Sequence, residues 1–318
     1  MKYNITKISN KNEIDDIYSN FIRLSSQKNI FCSKEILKFF FSDLDLYAIY
    51  KNDRIKSFVY LFKDKNNFVK SEPFIYSGII NQPKLNMKNS RYNNEIFKIN
   101  ELVINKIFSN YKDININLPL NFLDVRPFLW FNYGEENKKK FLITPSYTSI
   151  IDIESKEQSE VFNEIDDVKR RDINKVLNDK NYKVSTQINL PLIKKFYEDT
   201  MKKNKGSFNN YAFDKIFNFI ETQVNEEKVI QTTTYYLEKP IYSVLFLNNE
   251  ESSCYLYGSG DIEIKNRYAG SLALWKAIEQ SIDKKLCFID LEGINSPHRG
   301  EYKLNFGGNI KSYYNVCI

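Results

Sequence analysis

Hydrophobic and polar positions alternate over residues 44–70, and polar turns at 51–53 and 64–67 interrupt the alternation. A period of two broken by Asn-rich and Asp-rich turns is typical of an antiparallel β-meander. Residues 95–111 instead place their apolar side chains three and four positions apart, which predicts a helix. A short apolar segment follows at 115–118. The first half therefore predicts a meander, then a helix, then a strand.

The second half repeats this order. Three strand-like segments fill residues 229–258, a helix with apolar side chains four apart is predicted at 271–285, and 287–291 has the pattern of a strand. The matched order favours a duplicated fold. Chance similarity between amphipathic hairpins is the alternative.

The length of 318 residues also favours two domains, because a typical domain has about 100–200 residues. No linker rich in Gly, Pro or Ser separates the halves. We place the boundary after residue 152, which gives domains over 1–152 and 153–318. A long polar helix around 158–180 is predicted to join them.

Composition excludes several classes of protein. The 42% hydrophobic and 15% aromatic content is enough for a buried core. The net charge of +6 is compatible with an anionic partner, but it is too small to choose among nucleic acid, a phosphorylated ligand and a membrane surface. The single histidine, His298, excludes Ser-His-Asp and Cys-His catalysis.

The cysteines and the N-terminus bear on compartment. The four cysteines are widely spaced, so we expect neither a zinc site nor a disulfide scaffold, and no metal. The N-terminus has no apolar segment of signal-peptide length, and the chain has no segment of the ~20 apolar residues that span a bilayer. We expect a soluble cytoplasmic protein with no membrane insertion.

Glycine is concentrated near the C-terminus, where four of the ten glycines lie within residues 287–308. Motif positions around this segment occur in a fixed order: Tyr255 and Gly258, Trp275 and Ala277, Asp290 and Gly293, Tyr302 and Lys303, Phe306 and Gly307. Two further motifs are LDVRPFLWFNY at 123–133 and VKRRDINKV at 168–176. Together they resemble the FemAB-like branch of the GNAT-fold acyltransferases over most of residues 70–318. The resemblance implies an α/β fold with two tandem GNAT domains, whose mixed, mostly antiparallel sheets are flanked by helices.

The resemblance implies three functions. The first is an N-acyltransferase that uses acyl-CoA as co-substrate and acylates a nucleotide-linked amino sugar for O-antigen or capsule synthesis. The second is an aminoacyl-tRNA-dependent ligase acting on a peptidoglycan precursor; the lack of a heptad stretch for its inserted helical hairpin counts against it. The third is a non-catalytic module that binds a nucleotide-sugar or a protein. DNA is not expected as a partner, tRNA only under the second function, and a homodimer is left open.

The connection at residues 258–271 is the predicted donor site. Helix N-termini hold phosphates through backbone N–H groups, so a glycine-rich turn before a helix suits the pyrophosphate of CoA. We assign donor binding to four residues of this connection: Gly258, Arg267, Gly270 and Ser271. The motif is incomplete, because Leu272 stands where the family has Gly or Ala. The alternative is that Gly258 and Gly260 only turn a strand into a helix.

The predicted catalytic residues are Asp290, Glu292, Lys303 and Tyr257. Asp290 and Glu292 alternate near a strand end, so both are expected on one face, where either is a candidate general base for an amine. The alternative for Asp290 is capping of the following turn. Lys303 lies in a glycine-bounded segment and is a candidate for holding a phosphate or an oxyanion, or else is a surface lysine. Tyr257, or its neighbour Tyr255, is a candidate proton donor to the thiolate, with packing as the alternative.

The resemblance also implies an acceptor site. The matching residues are Tyr76, Asp124, Arg126, Trp130, Arg170 and Arg171. Arginine is scarce beside lysine in this chain, so its presence in these motifs indicates planar recognition of phosphate or carboxylate. Structural ion pairs such as Arg126 with Asp124, or Arg170 with Asp166, are the alternative.

Overall fold

The computed structural model describes residues 3–64, 66–204, 209–264 and 266–318. It divides into two compact units. The first unit comprises Met1–Ser146 and Ser312–Ile318, and the second comprises Tyr147–Lys311. These units differ from the predicted domains at the C-terminus, because the end of the last strand pairs with a strand of the first unit.

The strands of the described residues are Asn4–Lys7 (β1), Leu44–Lys51 (β2), Arg54–Phe62 (β3), Phe68–Val69 (β4), Gly78–Asn81 (β5), Asp113–Asn117 (β6), Leu142–Asp152 (β7), Tyr182–Ser185 (β8), Val229–Tyr236 (β9), Lys239–Asn248 (β10), Ser252–Gly260 (β11), Phe288–Gly293 (β12) and Asn309–Cys317 (β13). The α-helices are Glu13–Asn20 (α1), Lys34–Phe39 (α2), Asn89–Lys106 (α3), Arg126–Leu129 (α4), Gln158–Glu164 (α5), Asp167–Leu177 (α6), Leu190–Lys203 (α7), Asn210–Val224 (α8), Ala269–Asp283 (α9) and Pro297–Leu304 (α10). Short 3-10 turns lie at Ile22–Leu24, Ile30–Cys32, Phe41–Asp43 and Phe108–Asn110.

In the first unit, β1, β2, β3 and β5 form an antiparallel sheet in that order. β4 runs parallel to β6, and β6 pairs antiparallel with the end of β13. The core forms where α3 buries Ile99 and Val103 in one cluster with Ile114 and Ile116 of β6. The helical period in the sequence therefore reflects burial of one face of α3.

In the second unit, the strand order is β7, β12, β11, β10, β9, β8. β9, β10 and β11 form the predicted antiparallel meander, and β12 runs parallel to β11. α9 packs on this sheet, with Leu274 and Ile278 fully buried against Val244 and Ile289. The Thr234 hydroxyl on β9 donates a hydrogen bond of 3.0 Å to the carbonyl of Ala269, so the first turn of α9 is tied to the sheet.

The predicted class, an α/β protein with mostly antiparallel sheets flanked by helices, is confirmed. The predicted order of meander, helix and strand occurs in both units. The prediction of a single helix at 158–180 is wrong, because the helix is interrupted at Ile165 and Asp166 and forms α5 and α6 instead. The Asp166 carboxylate accepts from the Val168 amide at 2.9 Å and so caps a new helix. Within the described ranges, no helix combines the length and apolar character needed to span a bilayer.

Candidate active site

β11 and β12 separate part-way along their length. Their parallel pairing runs only from Ser252 opposite Phe288 to Cys254 opposite Asp290. Beyond it, β11 continues through residues 255–260 and β12 through 291–293. We call the region between these diverging ends the wedge. Strand edges that have separated present backbone hydrogen-bonding groups to a ligand.

A β-bulge lies on each side of the wedge. On β11, Leu245 pairs with Tyr257 and Phe246 with Tyr255, so Leu256 is an extra residue. On β12, the register shifts after Asp290, and Glu292 has a left-handed backbone with φ of 64°. Bulges re-aim side chains and are common next to active sites.

Asp290 has the turn-capping role that the sequence left as its alternative. It is 6% exposed. Its Oδ1 accepts hydrogen bonds from the Thr148 hydroxyl at 2.5 Å and from the Glu292 amide at 2.8 Å. The register shift after Asp290 interrupts the alternation from which a shared face was predicted. Asp290 is buried in the turn, whereas the Glu292 side chain is 32% exposed.

Glu292, Lys303 and Tyr255 meet in the wedge. The Lys303 ammonium lies 3.7 Å from Glu292 Oε2 and 4.5 Å from the centroid of the Tyr255 ring, and it donates a 3.3 Å hydrogen bond to the Gly293 carbonyl. Lys303 is on helix α10, not in a loop, and its side chain is only 8% exposed. The surface-lysine alternative is therefore wrong.

Burial sets the protonation states of the side chains in and beside the wedge. Burial raises the pKa of the Glu292 carboxyl, although the Lys303 ammonium opposes the shift. A carboxylate with a raised pKa is the stronger base. Burial also raises the pKa of the Tyr255 hydroxyl well above its usual value, so this phenol stays protonated and remains a donor. Burial likewise raises the pKa of the adjacent Cys254 thiol, which therefore does not supply a thiolate.

The start of α9 is lined by buried hydroxyl groups. Tyr242 and Tyr302 lie against Gly270, where a Cβ atom would be 3.1 Å from Tyr242 Cζ and 3.2 Å from Tyr302 Oη. Burial raises the pKa of Tyr242 to about 12. Burial raises the pKa of the Tyr302 hydroxyl well above its usual value, and the neighbouring Ser271 hydroxyl opposes that rise. Beyond each other, the buried Ser271 Oγ and Tyr302 Oη have no partner among the described residues, so this pair of hydroxyls is a candidate ligand contact.

Gly258 lies inside β11, so it is not part of a turn between strand and helix. Its missing side chain leaves room for Tyr255, whose oxygen would be 1.8 Å from a Cβ atom at this position. Arg267 is 74% exposed, 3.9 Å from Asp172, and its guanidinium stacks 4.8 Å from the Tyr268 ring centroid. The four donor candidates therefore have different environments. Gly258 makes room for a packed ring, Arg267 is an exposed cation, and Gly270 and Ser271 are buried at the start of α9.

Replacing Gly258 with alanine is expected to displace the Tyr255 ring from the wedge, because the added methyl group and the phenol oxygen cannot occupy the same space. Overpacking of this kind costs about 1–3 kcal/mol of stability. Chemical denaturation measures the loss. The double variant Gly258→Ala/Tyr255→Phe, which removes the clashing oxygen, should recover part of it. Equal stability of Gly258→Ala and the unmodified protein would contradict this packing.

Tyr257 lies in a different environment from Tyr255. Its ring stacks on Phe217 at 5.0 Å and meets Tyr197 edge-on at 4.9 Å, with Phe213 at 5.6 Å. These rings belong to α7 and α8. The structure therefore places Tyr255, the alternative proton donor, with Glu292, and places Tyr257 in an aromatic cluster.

Four acceptor candidates lie in the first unit. The Arg126 guanidinium makes two 2.7 Å hydrogen bonds to Asp124, so the ion-pair alternative is observed. It also lies 5.6 Å from the ring centroid of Trp130, whose side chain is 52% exposed. Tyr76 is buried, and its ring meets Tyr313 edge-on at 5.3 Å.

Arg170 and Arg171 lie on α6 in the second unit. The Arg170 guanidinium pairs with Asp167 and not with the predicted Asp166. The Arg171 Nε donates a 3.2 Å hydrogen bond to the Asp167 carbonyl. Both arginines therefore have structural partners at the start of α6.

The sequence missed four residues that border this site: Tyr242, Tyr302, Lys169 and Lys175. Tyr302 is a motif position beside Lys303, and Lys169 and Lys175 lie within the motif at 168–176, so these three carried a signal. Tyr242 is far from every motif in the sequence and reaches Gly270 only through sheet packing. Lys169 and Lys175 lie on α6, where the resemblance assigns a role only to Arg170 and Arg171.

No protein-family model matches this sequence, and no curated protein matches it. Solved structures do match. FemX superimposes with a TM-score of 0.63 at 10% identity, covering 99% of this chain and 97% of that one. A tandem GNAT protein from the clavulanic acid biosynthesis pathway gives 0.57 at 8% identity, covering 99% and 98%. L-PGS from Bacillus licheniformis gives 0.52 at 10% identity, covering 96% and 91%. The expected tandem GNAT fold is thereby confirmed.

Proposed function

We propose that this chain, which has the tandem GNAT fold shared with FemX, is an acyl-CoA-dependent N-acyltransferase that acylates the amino group of a nucleotide-linked amino sugar. The observation that carries the proposal is the meeting of Glu292, Lys303 and Tyr255 in the wedge. A carboxylate, an ammonium and a neutral phenol are the groups that an amine and a thioester need. Fold alone does not decide function, so the argument depends on this site.

The proposed reaction uses each group once. Glu292 takes a proton from the acceptor amine as its nitrogen forms a bond to the thioester carbonyl carbon. The Lys303 ammonium stabilises the charge that develops on the carbonyl oxygen. The carbon–sulfur bond then breaks, and the Tyr255 hydroxyl supplies a proton to the departing thiolate. The Tyr255 phenolate, whose pKa is raised, regains a proton from solvent, and Glu292 releases the proton that it took from the amine. Holding the two reactants together supplies much of the rate, about 7–11 kcal/mol of barrier for well-oriented partners.

We assign the pyrophosphate of the donor to the start of α9. Gly270 and Ser271 lie in the first turn of this helix, and helix N-termini favour anions. The hydroxyls of Ser271 and Tyr302, which have no partner beyond each other, support a ligand at this point. The CoA thioester would then extend from α9 toward the wedge.

The nucleotide-sugar acceptor rests on the FemAB-like resemblance. In the first unit, the half-exposed Trp130 ring offers an aromatic face on which a nucleotide base can stack. The Arg126 guanidinium beside it adds positive charge, although Asp124 balances that charge. We propose that these residues of the first unit can bind a nucleotide base, as the resemblance implies.

A thermal-shift series tests the proposal directly. Acetyl-CoA and longer CoA thioesters are expected to raise the melting temperature, because a ligand at a hundred times its Kd stabilises the folded state by about 2.7 kcal/mol. UDP- and dTDP-amino sugars are expected to do the same, and release of the CoA thiol should require both substrates. Pantetheine, which lacks the phosphates, is the control. No shift with any thioester and no thiol release would contradict the proposal.

An aminoacyl-tRNA-dependent ligase is the second candidate, and the fold likeness to FemX favours it. The second unit has two consecutive helices, α7 and α8, between β8 and β9, so the element order does not separate this candidate from the first, and binding experiments must do so. A tRNA user would show salt-steep binding and RNase-sensitive activity. A non-catalytic module would show binding without any turnover.

A further inference from the structure

A group of cations surrounds the start of α9. Lys175 lies 4.8 Å from the centroid of the Tyr268 ring, and Arg267 lies at the same distance from it. Lys169 lies 5.0 Å from the centroid of the Tyr302 ring, whose hydroxyl borders Gly270. Lys169 and Lys175 come from α6, which packs beside α9. We call Lys169 and Lys175 of α6, together with Arg267 in the connection before α9, the α6 cation cluster.

One buried carboxylate orients part of this cluster. Asp172 lies 4.0 Å from the Lys169 ammonium and 3.9 Å from the Arg267 guanidinium. The Lys169 side chain is only 16% exposed, so it is built into the structure and is not a loose surface lysine. Three cations against one carboxylate leave an excess of positive charge. That excess also lowers the pKa of the Tyr268 hydroxyl, chiefly through its hydrogen bond with Lys175.

The backbone at this helix end is already partly occupied. Asn266 Oδ1 accepts hydrogen bonds from the amides of Tyr268 at 3.0 Å and of Ala269 at 3.1 Å. These amides are among the N–H groups that a helix end otherwise offers to an anion. Because Asn266 takes them, a phosphate-rich ligand here depends on the Gly270 and Ser271 amides and on further partners. The Ser271 and Tyr302 hydroxyls, which have no partner beyond each other, and the α6 cation cluster border this helix start.

We propose that the α6 cation cluster recognises the ribose 3′-phosphate of a coenzyme A donor, next to the diphosphate at the start of α9. This rests on the proposed function, which supplies the donor. Lys175 and Arg267, which both lie near the Tyr268 ring, contact the phosphate monoester. Lys169 contributes charge toward the diphosphate. Asp172 is a positioning residue that holds Lys169 and Arg267.

Calorimetric titration with coenzyme A and with 3′-dephospho-coenzyme A separates this contribution from all others. The unmodified protein should bind coenzyme A about tenfold more tightly, the equivalent of one charge-assisted contact. Lys175→Met and Arg267→Met should each weaken coenzyme A binding several-fold and leave 3′-dephospho-coenzyme A binding almost unchanged. Lys175→Arg should keep the preference, since it keeps the charge.

Lys276→Met is the matched control, because this lysine lies two turns further along α9 and pairs with Glu279. It should bind both compounds like the unmodified protein. Equal affinity of the unmodified protein for the two compounds, or an unchanged preference in Lys175→Met and Arg267→Met, overturns the assignment of the cluster while leaving the N-acyltransferase proposal intact. Failure to bind either compound, with salt-steep tRNA binding that Lys175→Met weakens, overturns both the assignment and the donor.

Discussion

Replacement of Lys303 with methionine is expected to lower turnover about a hundredfold, the usual effect of removing one group that stabilises a developing oxyanion. Methionine keeps most of the apolar stem that packs on the Tyr255 ring but removes the charge. The loss should fall on kcat more than on the KM for the donor, because the ammonium acts on charge that develops during the reaction. Steady-state kinetics with a saturating acceptor measures the effect.

The same variant should change the pH profile. The Lys303 ammonium opposes the rise in the pKa of Glu292, so its removal should raise that pKa further. A general base acts only when ionised, and kcat/KM rises with pH through its pKa. The acidic limb of Lys303→Met should therefore move to higher pH than that of the unmodified protein, with the same acceptor in both assays. Lys303→Arg, which keeps the charge, should retain the original limb. An unchanged rate and an unchanged profile in Lys303→Met would remove this lysine from the site.

Much of the fold could be predicted because burial imposes a period on the sequence. Leu274 and Ile278 fall four apart since one face of α9 lies on the sheet. The meander strands are buried on both faces, and the polar turns between them mark where each strand ends. The break between α5 and α6 was missed although Asp166 is a good helix N-cap, because the polar pattern on both sides of it continues without interruption.

The sequence predicts several residues of the candidate site, but it does not predict how they are arranged. Motif order identified Lys303, alternation near a strand end identified Glu292, and the connection at 258–271 identified Gly270. The two bulges depend on how β11 and β12 separate, which no local pattern encodes. Even alternation along β11 leaves Tyr257 as the predicted proton donor, whereas the bulge at Leu256 accompanies a structure in which Tyr255 lies beside Lys303.

The sequence predicts only a glycine-bounded segment around Lys303 and no helix, because Gly300 lies nearby and an interior glycine costs a helix about 1 kcal/mol relative to alanine. Packing overrides that preference. A Cβ atom at position 300 would lie 2.4 Å from the Ile294 carbonyl oxygen, so only glycine lets α10 approach the end of β12. Pro297 in the first turn was the available signal for a helix start.

Replacement of Glu292 with glutamine is expected to lower kcat by about two to three orders of magnitude, within the range for loss of a general base. Glutamine keeps the size of the side chain and cannot take a proton from the amine. The acidic limb attributed to Glu292 should disappear, leaving only the titration of the acceptor amine, and coenzyme A should bind as before. A kcat within a fewfold of the unmodified protein would exclude Glu292 as the base.

The partner variant Asp290→Asn decides between the two carboxylates. Asparagine retains an Oδ1 that can accept from the Thr148 hydroxyl and the Glu292 amide, so the turn should persist. If Asp290 only anchors the turn, this variant should keep most of its turnover and the acidic limb of Glu292. If Asp290 were the base, Asp290→Asn would be the inactive variant and Glu292→Gln the active one. Because the two substitutions make the same chemical change two residues apart, their kinetics assign the proton transfer to one side of the β12 bulge.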